Sequence, residues 1–192
     1  DYDIEENNIF TFYAEEDLEK QQEQIEKLMD RGVCGLVIQA VEEAEIPAMV
    51  DQCRNRQIPV VFVNSEPPEE EKLRWSEENI AASWVGTDGR QAGTYQGELI
   101  LESPHHGDFN GDGIVSYVMI QGDLDAEDTK NRTEYSVKTL TDQGIRVQKL
   151  MESSGNWEES RGKELTEQAL KRYGRRAEVI ICNNDAMANG AA

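Results

Sequence analysis

Oxygen-bearing side chains alternate along one short run in the middle of the chain, residues 108–116. The run has side-chain oxygens at its first, third and fifth positions, a glycine at its sixth, a backbone carbonyl at its seventh and a hydroxyl at its ninth. An EF-hand loop has this spacing, because a calcium ion collects roughly six to eight oxygens and the glycine lets the chain bend sharply. These positions are Asp108, Asn110, Asp112, Gly113, Ile114 and Ser116.

The twelfth position of this loop lacks the ligand that an EF-hand carries there. An EF-hand has a bidentate glutamate at that position, whereas this chain has Met119. Residues 114–120 are mostly apolar and include β-branched side chains, which predicts a strand and not the exiting helix of an EF-hand. The sequence therefore predicts a calcium site whose last carboxylate comes from another part of the fold. The alternative is an Asp/Asn/Gly turn that binds nothing.

The elements around this loop are predicted to alternate between strands and helices. Apolar, β-branched runs predict strands, and apolar residues three or four positions apart predict helices. Strand, helix, strand at these lengths indicates parallel βαβ units, so we predict an α/β fold with open, doubly wound parallel sheets. After an acidic, irregular start at 1–7, strands are predicted at 9–13, 35–38, 59–63, 83–86, 114–120, 146–151 and 178–182, and helices at 15–31, around 46–53, at 88–102, 129–142 and 159–173, and from 185 onward.

Three further expectations concern burial and local structure. Residues 35–38 form a continuous apolar run, which is typical of a strand covered on both faces. Residues 65–79 are acidic and are predicted to be a connection without regular structure. Each of the three cysteines, Cys34, Cys53 and Cys182, lies in an apolar segment, so we expect buried thiols that pack as small hydrophobic groups.

Polar and aromatic side chains follow several of the predicted strands. Ligands of open α/β sheets bind outside the carboxyl ends of the strands. Amides, carboxylates and a guanidinium fit sugar hydroxyls, and an indole covers the apolar face of a sugar ring. Singly, each has a simpler explanation as a turn residue, a helix cap (Asp185), a surface ion pair or a packed aromatic, but their common placement favours a binding site. The residues are Asn64, those in 123–132 with Asp128 and Arg132, Trp157, and Asn183, Asn184 and Asp185.

Composition excludes some classes of partner. Of the 192 residues 38% are hydrophobic and 30% charged, with a formal net charge of -20. Nucleic acid is not an expected partner, because phosphate binding relies on lysine and arginine, and an anionic membrane surface is excluded on the same ground. No apolar run approaches the roughly 20 residues that a membrane-spanning helix needs.

Several segments, taken in order, carry a family resemblance. With the calcium loop among them, they closely resemble the galactose/glucose-binding proteins of bacterial ABC sugar importers and chemotaxis, over nearly the whole chain. The resemblance implies a type I periplasmic-binding-protein fold of two lobes joined by a hinge, here residues 1–87 and 88–192. The segments are Arg31-Gly32-Val33, 58–67, Val85-Gly86-Thr87-Asp88, Gln96-Gly97, 108–113, Arg132-Thr133 and 183–188.

The resemblance also implies roles for individual residues. Trp157 would be the platform on which the sugar ring stacks, and Glu178, just ahead of a predicted strand, matches the family's remote bidentate glutamate. Ala126 replaces a histidine of the family, so the sugar specificity is left open. In the calcium loop, Ser116 stands where relatives usually have glutamine. The implied sugar ligands are Asn64, Asp128, Arg132, Trp157 and Asn184, and the implied ligands of a structural Ca²⁺ are Asp108, Asn110, Asp112, the Ile114 carbonyl, Ser116 and Glu178.

Relative to this family, the sequence is expected to be a portion of a longer protein. The first lobe would lack its first strand and helix, and the second lobe would be truncated within a helix at Ala192. A cleft that lacks part of its polar partners leaves hydroxyls unpaired, so we expect this chain to bind sugar weakly or not at all. The calcium ligands all belong to the second lobe, and calcium binding is expected to persist.

The expected function is a non-catalytic monosaccharide receptor. It would deliver galactose- or glucose-type sugars to the membrane subunits of an ABC importer and could serve a chemoreceptor, in the periplasm or as a lipoprotein on the cell surface. The alternative is a sugar-responsive effector domain of a lactose-repressor-like regulator, although a basic helix-turn-helix is not visible. A hydrolase that uses acidic residues of 123–128 is disfavoured, because no nucleophile or phosphate-loop motif accompanies them.

Overall fold

The computed structural model describes residues 5–192. Residues 1–4, part of the acidic segment that the sequence predicts to be irregular, lie outside the described residues. The chain divides into an N-terminal unit that ends at Gly86 and a C-terminal unit, Thr87–Ala192. This division lies beside the predicted one between residues 87 and 88. Parallel sheets flanked by helices occur in both units, so the predicted α/β fold class is confirmed.

In the N-terminal unit, helices alternate with parallel strands. The strands pair in the order β1-β2-β3, with Leu36 beside Val60 and Phe62 beside Trp84. Asp17 caps the first helix by accepting a hydrogen bond from Lys20 N, and the left-handed Gly32 follows the helix end. The elements are α1 (Leu18–Asp30), β1 (Leu36–Ile38), α2 (Ile46–Asn55), β2 (Val60–Val63), α3 (Glu69–Glu77) and β3 (Ala82–Val85).

One hydrophobic core holds the N-terminal unit together. Helices α1 and α2 bury the apolar faces that their sequence periodicity predicts, including Ile25 and Met49. Phe62 of β2 is fully buried and stacks on Trp75 of α3, with 5.9 Å between ring centroids. The sheet and its helices are therefore joined by apolar side chains on one sheet face.

The predicted strand at 9–13 is wrong. This segment pairs with no strand among residues 5–192. Its aromatic rings instead lie beside cations at the C-terminal end of α1, with the guanidinium of the C-cap Arg31 4.7 Å from the Phe10 centroid and the Lys27 ammonium 5.7 Å from that of Phe12. A β-rich composition forms a strand only where a neighbouring strand accepts its backbone hydrogen bonds.

Three expectations about burial and local structure also need correction. The run at 35–38 is covered on one face only, because Val37 is 71% exposed while Leu36 and Ile38 are buried. The stretch 65–79 contains α3, whose buried face is made of Glu71 and Trp75 and so escaped an apolar pattern search. Cys34 is exposed, whereas Cys53 and Cys182 are buried as expected.

The C-terminal unit repeats the parallel βαβ plan around a central strand. Its strands pair in the order β5-β4-β6, and residues Val115–Ile120 of β4 are all buried, as expected for a strand covered on both faces. No helix among residues 5–192 is long and apolar enough to cross a membrane. The elements are α4 (Gly89–Glu102), β4 (Val115–Gln121), α5 (Glu127–Asp142), β5 (Val147–Ser154), α6 (Glu159–Tyr173), β6 (Val179–Cys182) and α7 (Asp185–Ala191).

Helices α4 and α5 pack at backbone distance. A Cβ atom on Gly93 of α4 would lie 2.7 Å from the carbonyl oxygen of Arg132, and one on Gly97 would lie 2.8 Å from that of Ser136. Gly89 meets Asp128 near the start of α5, so the two helices run side by side in the same direction. Glycine at every fourth position of α4 thus fixes where the start of α5 lies over the sheet.

Candidate ligand and cation sites

The carboxyl ends of β4, β5 and β6 bring together most of the sugar ligands expected from the sequence. These strands are parallel and adjacent, so the residues that follow them lie along one edge of the sheet. Asp128 and Arg132 belong to the first turns of α5, Trp157 follows β5, and Asn184 follows β6. Tertiary structure thus collects side chains that are as much as 56 residues apart in sequence, from Asp128 to Asn184.

Arg132 is held on two sides. Its Nε atom lies 2.8 Å from Asp128 Oδ2, one helical turn earlier, and its Nη1 donates to the main-chain carbonyl of Asn183 at 2.8 Å. The Arg132 and Asp128 side chains are 21% and 27% exposed, so the ion pair is neither fully buried nor free in solvent. Within the described part of the chain, the inner oxygen of Asp128, Oδ1, has no hydrogen-bond partner. This arrangement presents a cation that is held beside a carboxylate at the edge of the sheet.

Trp157 and Asn184 contact each other at the same edge. Trp157 has a left-handed backbone (φ 66°), and its indole covers Gly122 so closely that a Cβ there would lie 2.2 Å from the ring. The Asn184 amide donates to Trp157 O at 3.0 Å, and its Oδ1 accepts from Met187 N at 3.0 Å. Asn184, and not Asp185, is therefore the cap of α7. Both ends of its side chain are engaged, which fixes its direction.

Asn183 is one of the polar residues that the sequence places at this edge, but it is not among the sugar ligands that the family resemblance implies. It is fully buried, and its Oδ1 accepts from Gly122 N at 3.0 Å. Thr133 of α5 also contacts its side-chain amide, at 3.2 Å to Nδ2. A polar residue directly after the apolar strand 179–182 was the available sequence signal, but it did not distinguish Asn183 from its neighbour.

Helix α5 begins without a hydrogen bond to the side chain of its N-cap residue. Ala126 occupies the N-cap position, and its methyl side chain has no oxygen that could accept a hydrogen bond from the first turn. The nearby acidic loop is fixed by Asp123, whose Oδ1 accepts from Asp125 N at 3.0 Å. Lys130 donates to the Asp125 carbonyl at 3.1 Å. The position to which the family resemblance assigns a histidine is thus occupied by a methyl group.

Asn64, the remaining expected sugar ligand, belongs to the N-terminal unit. It follows β2, is exposed and has a left-handed backbone (φ 64°). Its N–H donates to Val85 O at 3.1 Å, which extends the β2–β3 pairing. An asparagine tolerates this conformation better than most residues, and Asn64 lies at the carboxyl edge of that sheet.

The candidate calcium loop is folded around its own carboxylates. Asp108 accepts from Gly111 N at 2.7 Å through Oδ1 and from Gly113 N at 2.8 Å through Oδ2. Asn110 Oδ1 accepts from Asp112 N at 2.8 Å, and Asp112 Oδ1 accepts from Ile114 N at 2.9 Å. Each of these oxygens retains a further lone pair. The alternating side chains therefore turn toward the inside of the loop, as its spacing requires.

Glu178 lies at this loop although it is distant in sequence. Its Oε1 accepts from Asn110 N and its Oε2 accepts from Ser116 N, both at 2.9 Å. The backbone of Glu178 also donates to Ser116 O at 2.9 Å. The Glu178 carboxylate thus contacts the loop from just before β6 and is placed to supply the ligand that Met119 does not.

The chemistry of this donor set fits a hard cation such as calcium, because its side-chain and backbone donors are oxygens. Arg146 also lies beside the loop, since a Cβ on Gly113 would be 2.6 Å from its guanidinium. Among residues 5–192, however, no group of three or more His, Cys, Asp or Glu side chains is gathered as a metal centre. The loop geometry is compatible with an ion, and metal occupancy remains a prediction.

Comparison with known proteins identifies similar chains. The sequence profile described as "Periplasmic binding protein domain" matches residues 2–192. The chain is 34% identical over 175 residues to the D-galactose/methyl-galactoside binding periplasmic protein MglB of Haemophilus influenzae, which covers 89% of this chain and 52% of that protein. It is 30% identical over 176 residues to a putative rhizopine-binding protein of Rhizobium meliloti, covering 91% and 53%. The chain thus spans about half the length of these curated relatives.

Solved structures share the fold. A galactofuranose binding protein superposes with a TM-score of 0.77 at 19% identity, covering 94% of this chain and 57% of that one. An ABC transporter solute binding protein of Bacillus halodurans, crystallised with myo-inositol, superposes with a TM-score of 0.74 at 23% identity, covering 93% and 56%. At these identities the similarity concerns the fold alone.

Proposed function

Because the chain belongs to the family of periplasmic binding protein domains, we propose that it is part of a non-catalytic sugar-binding protein of an ABC importer. The observation that carries the proposal is the grouping of Asp128, Arg132, Trp157 and Asn184 at one carboxyl edge of the C-terminal sheet. Asn64 occupies the equivalent kind of position in the N-terminal unit, directly after a strand.

The chemistry of this edge suits a monosaccharide. Arg132 is held by the Asn183 carbonyl at Nη1 and pairs with Asp128 Oδ2 near Nε, so its other guanidinium N–H groups can donate to sugar hydroxyls. Trp157 is partly buried on Gly122 and supplies an apolar surface for the C–H groups of a sugar ring. A guanidinium paired with a carboxylate and an indole can thus bind both the polar rim and the apolar face of one ring.

Galactose- or glucose-type sugars are the ligands we propose. Support comes from the relative named for D-galactose and methyl-galactoside, which is 34% identical to this chain. Ala126 offers a methyl group where the family has an imidazole, so the preference among hexoses is expected to differ from that of histidine-bearing relatives. The proposed location is the periplasm or the outer cell surface, with the importer's membrane subunits as partners and a chemoreceptor as a further one.

Binding of D-galactose and D-glucose to the ¹⁵N-labelled chain, followed by NMR chemical shifts, tests this function. NMR detects weak as well as tight binding, and the Trp157 indole N–H should shift in a saturable way. Arg132→Ala should weaken binding at least about tenfold, because charged hydrogen bonds contribute about 1.5–3 kcal/mol. Arg161→Ala is the matched control, because Arg161 lies on α6 and its side chain is 44% exposed. The assignment would be refuted if Arg132→Ala left the sugar-induced shifts unchanged, or if no hexose or pentose produced shifts.

We also propose that the loop at 108–116 and Glu178 bind a structural Ca²⁺. The ligands would be Asp108, Asn110, Asp112, the Ile114 carbonyl, Ser116 and Glu178. Support comes from the oxygen donor set and from Glu178, which already contacts Asn110 N and Ser116 N. Calcium would neutralise carboxylates in a chain of net charge -20 and tie the loop to the start of β6.

Thermal unfolding with calcium and with chelator tests the cation site. Binding to the folded state alone stabilises it by about 2.7 kcal/mol at a ligand concentration of 100 times Kd, so Tm should rise by several degrees. Glu178→Gln should reduce this calcium-dependent rise, and Glu167→Gln on exposed α6 should preserve it. An equal Tm in calcium and in chelator would contradict the proposal.

A further inference from the structure

We infer that Asn183 and Thr133 are positioning residues that hold the Arg132 guanidinium in its ligand-binding orientation without touching the ligand. This inference rests on the proposed sugar-binding function of the C-terminal edge. It concerns a polar network beneath that edge, made of Gln121 at the end of β4, Thr133 of α5 and Asn183 at the end of β6.

Asn183 connects two strand ends and presents the carbonyl that Arg132 uses. Its N–H donates to Ile120 O at 3.0 Å, and its side-chain Oδ1 accepts from Gly122 N at 3.0 Å, so the residue is tied to β4 through main chain and side chain. Its own carbonyl oxygen accepts from Arg132 Nη1 at 2.8 Å. Because Asn183 is 0% exposed, its side chain does not reach a ligand, and its effect on binding must act through Arg132.

The Thr133 hydroxyl fixes the Asn183 side chain. It accepts from Asn183 Nδ2 at 3.2 Å and from Gln121 Nε2 at 3.3 Å, and it lies 3.3 Å from Asn183 Oδ1, to which it can donate. One hydroxyl has a single donor and two acceptor sites, so these contacts use all of them. Removing the hydroxyl therefore leaves amide N–H groups of both Asn183 and Gln121 without this partner in a buried place, where an unmade hydrogen bond is costly.

Arg132 depends on this support because its contact with Asp128 is poorly aligned. The Nε atom is 2.8 Å from Asp128 Oδ2, yet Nε–H forms no well-directed hydrogen bond within the described residues. The carbonyl of Asn183 is thus the directional contact of the guanidinium. A flexible arginine that is ordered before binding does not lose that freedom when a ligand arrives, which strengthens binding.

The test compares two substitutions at one position. Thr133→Val keeps the shape and removes the hydroxyl, whereas Thr133→Ser keeps the hydroxyl and should restore wild-type behaviour. Thr129→Val is the matched control, because Thr129 lies on the same helix, is 1% exposed, and carries a hydroxyl without a partner in the described part of the chain. If Thr133→Val does not fold at the assay temperature, Thr133→Ala replaces it, since it adds no methyl group to the vacated space.

Two measurements separate positioning from function. In the sugar-free chain, the ¹⁵N signals of the Arg132 guanidinium should show restricted rotation of the Nη1 group, which Thr133→Val abolishes and which Thr133→Ser and Thr129→Val retain. With D-galactose or D-glucose as probe, Thr133→Val should raise Kd about tenfold, and the other two variants by less than about twofold.

Several outcomes would decide the matter. Arg132 signals and Kd that are unchanged by Thr133→Val would overturn the inference, as would an equal loss in Thr133→Ser. An equal rise of Kd in Thr129→Val would show a general destabilisation and overturn it too. If Thr133→Val changes the Arg132 signals while even Arg132→Ala leaves sugar binding unchanged, the positioning role stands and the proposed function fails.

Discussion

The surroundings of Arg132 illustrate how much of a binding residue is invisible in its immediate sequence. Asp128 precedes it by one helical turn, so an ion pair between them was predictable from spacing alone. The Asn183 carbonyl, 51 residues away, is the second contact and depends on how β6 ends beside α5. The first contact follows from helix geometry, whereas the second exists only because the sheet brings two distant segments together.

The thiols respond to burial in a way that makes them probes of the fold. Burial raises the pKa of Cys53 and of Cys182 from about 9 to about 11, because the charged thiolate is poorly solvated inside the protein. At pH 8 we therefore expect a thiol reagent such as DTNB to modify Cys34 in the folded chain and all three cysteines in urea. Cys34→Ser is the control and should abolish labelling of the folded chain.

These thiols also affect stability at alkaline pH. Unfolded thiols lose their protons near pH 9, while the buried ones keep theirs until about pH 11. The unfolded state then binds fewer protons, so the free energy of unfolding should fall as pH rises from about 9 to about 11. Urea titrations across this range check it, and a double Cys53→Ala, Cys182→Ala variant should show a shallower fall. Rapid labelling of Cys182 in the folded chain would contradict both expectations.

Helices and strands with regular apolar periodicity were predictable from the sequence, whereas a helix that buries a charged side chain was not. Helices α1 and α2 appear where Ile25, Met29 and Met49 recur on one face. Helix α3 was missed because its buried side is Glu71, whose Oε1 accepts from Trp75 Nε1 at 2.6 Å and from Arg74 Nη2 at 2.7 Å. A buried carboxylate that is paired and hydrogen-bonded can replace an apolar residue, but a hydrophobic pattern cannot reveal it.

The glycine positions of α4 give a test of helix packing. Gly93→Ala would place a methyl group 2.7 Å from Arg132 O and 3.0 Å from Ser136 N, and these backbone atoms cannot move without separating α4 from α5. We expect a loss of about 1–3 kcal/mol in the free energy of unfolding, although alanine improves helix propensity by about 1 kcal/mol.

Urea unfolding measures this effect, with Glu98→Ala on an exposed position of α4 as the control. The control should change the free energy of unfolding by less than about 0.5 kcal/mol, as surface substitutions usually do. Gly93→Ala with unchanged or increased stability would show that α4 and α5 do not pack at this distance.

For the chain as a whole, the two units have separate hydrophobic cores within the described residues. Phe62 belongs to the core of the N-terminal unit, and Val118 and Ile120 belong to a core of the C-terminal unit. Phe62→Ala should cost about 3–5 kcal/mol and speed amide hydrogen exchange mainly in residues before Gly86. Ile120→Ala is the reciprocal variant, expected to act on residues after Thr87. Equal acceleration across both units in either variant would show that they unfold together.

Local patterns in the sequence were sufficient for the fold class, for most strands and helices of both units, and for the oxygen spacing at 108–116. These features depend on periodicity and on neighbours a few residues apart, which a single sequence displays. The segment 9–13 failed because strand formation needs a partner strand that no local pattern supplies. The expected burial of Val37 was wrong because the covering of a sheet face depends on where the helices lie.

Contacts between distant segments completed the candidate sites. Ser116 N donates to Glu178, 62 residues away in sequence, and Gly122 N donates to the Asn183 side chain, 61 residues away. Both contacts form because the parallel pairing of β4 with β6 places the ends of these strands side by side. Family resemblance had pointed to Glu178, whereas the contact between Asn183 and Thr133 became visible only in the folded chain. The candidate calcium loop and the proposed sugar-binding edge thus lie at opposite ends of one strand pair, a placement that hydrogen bonding across the sheet creates and that residue spacing could not show.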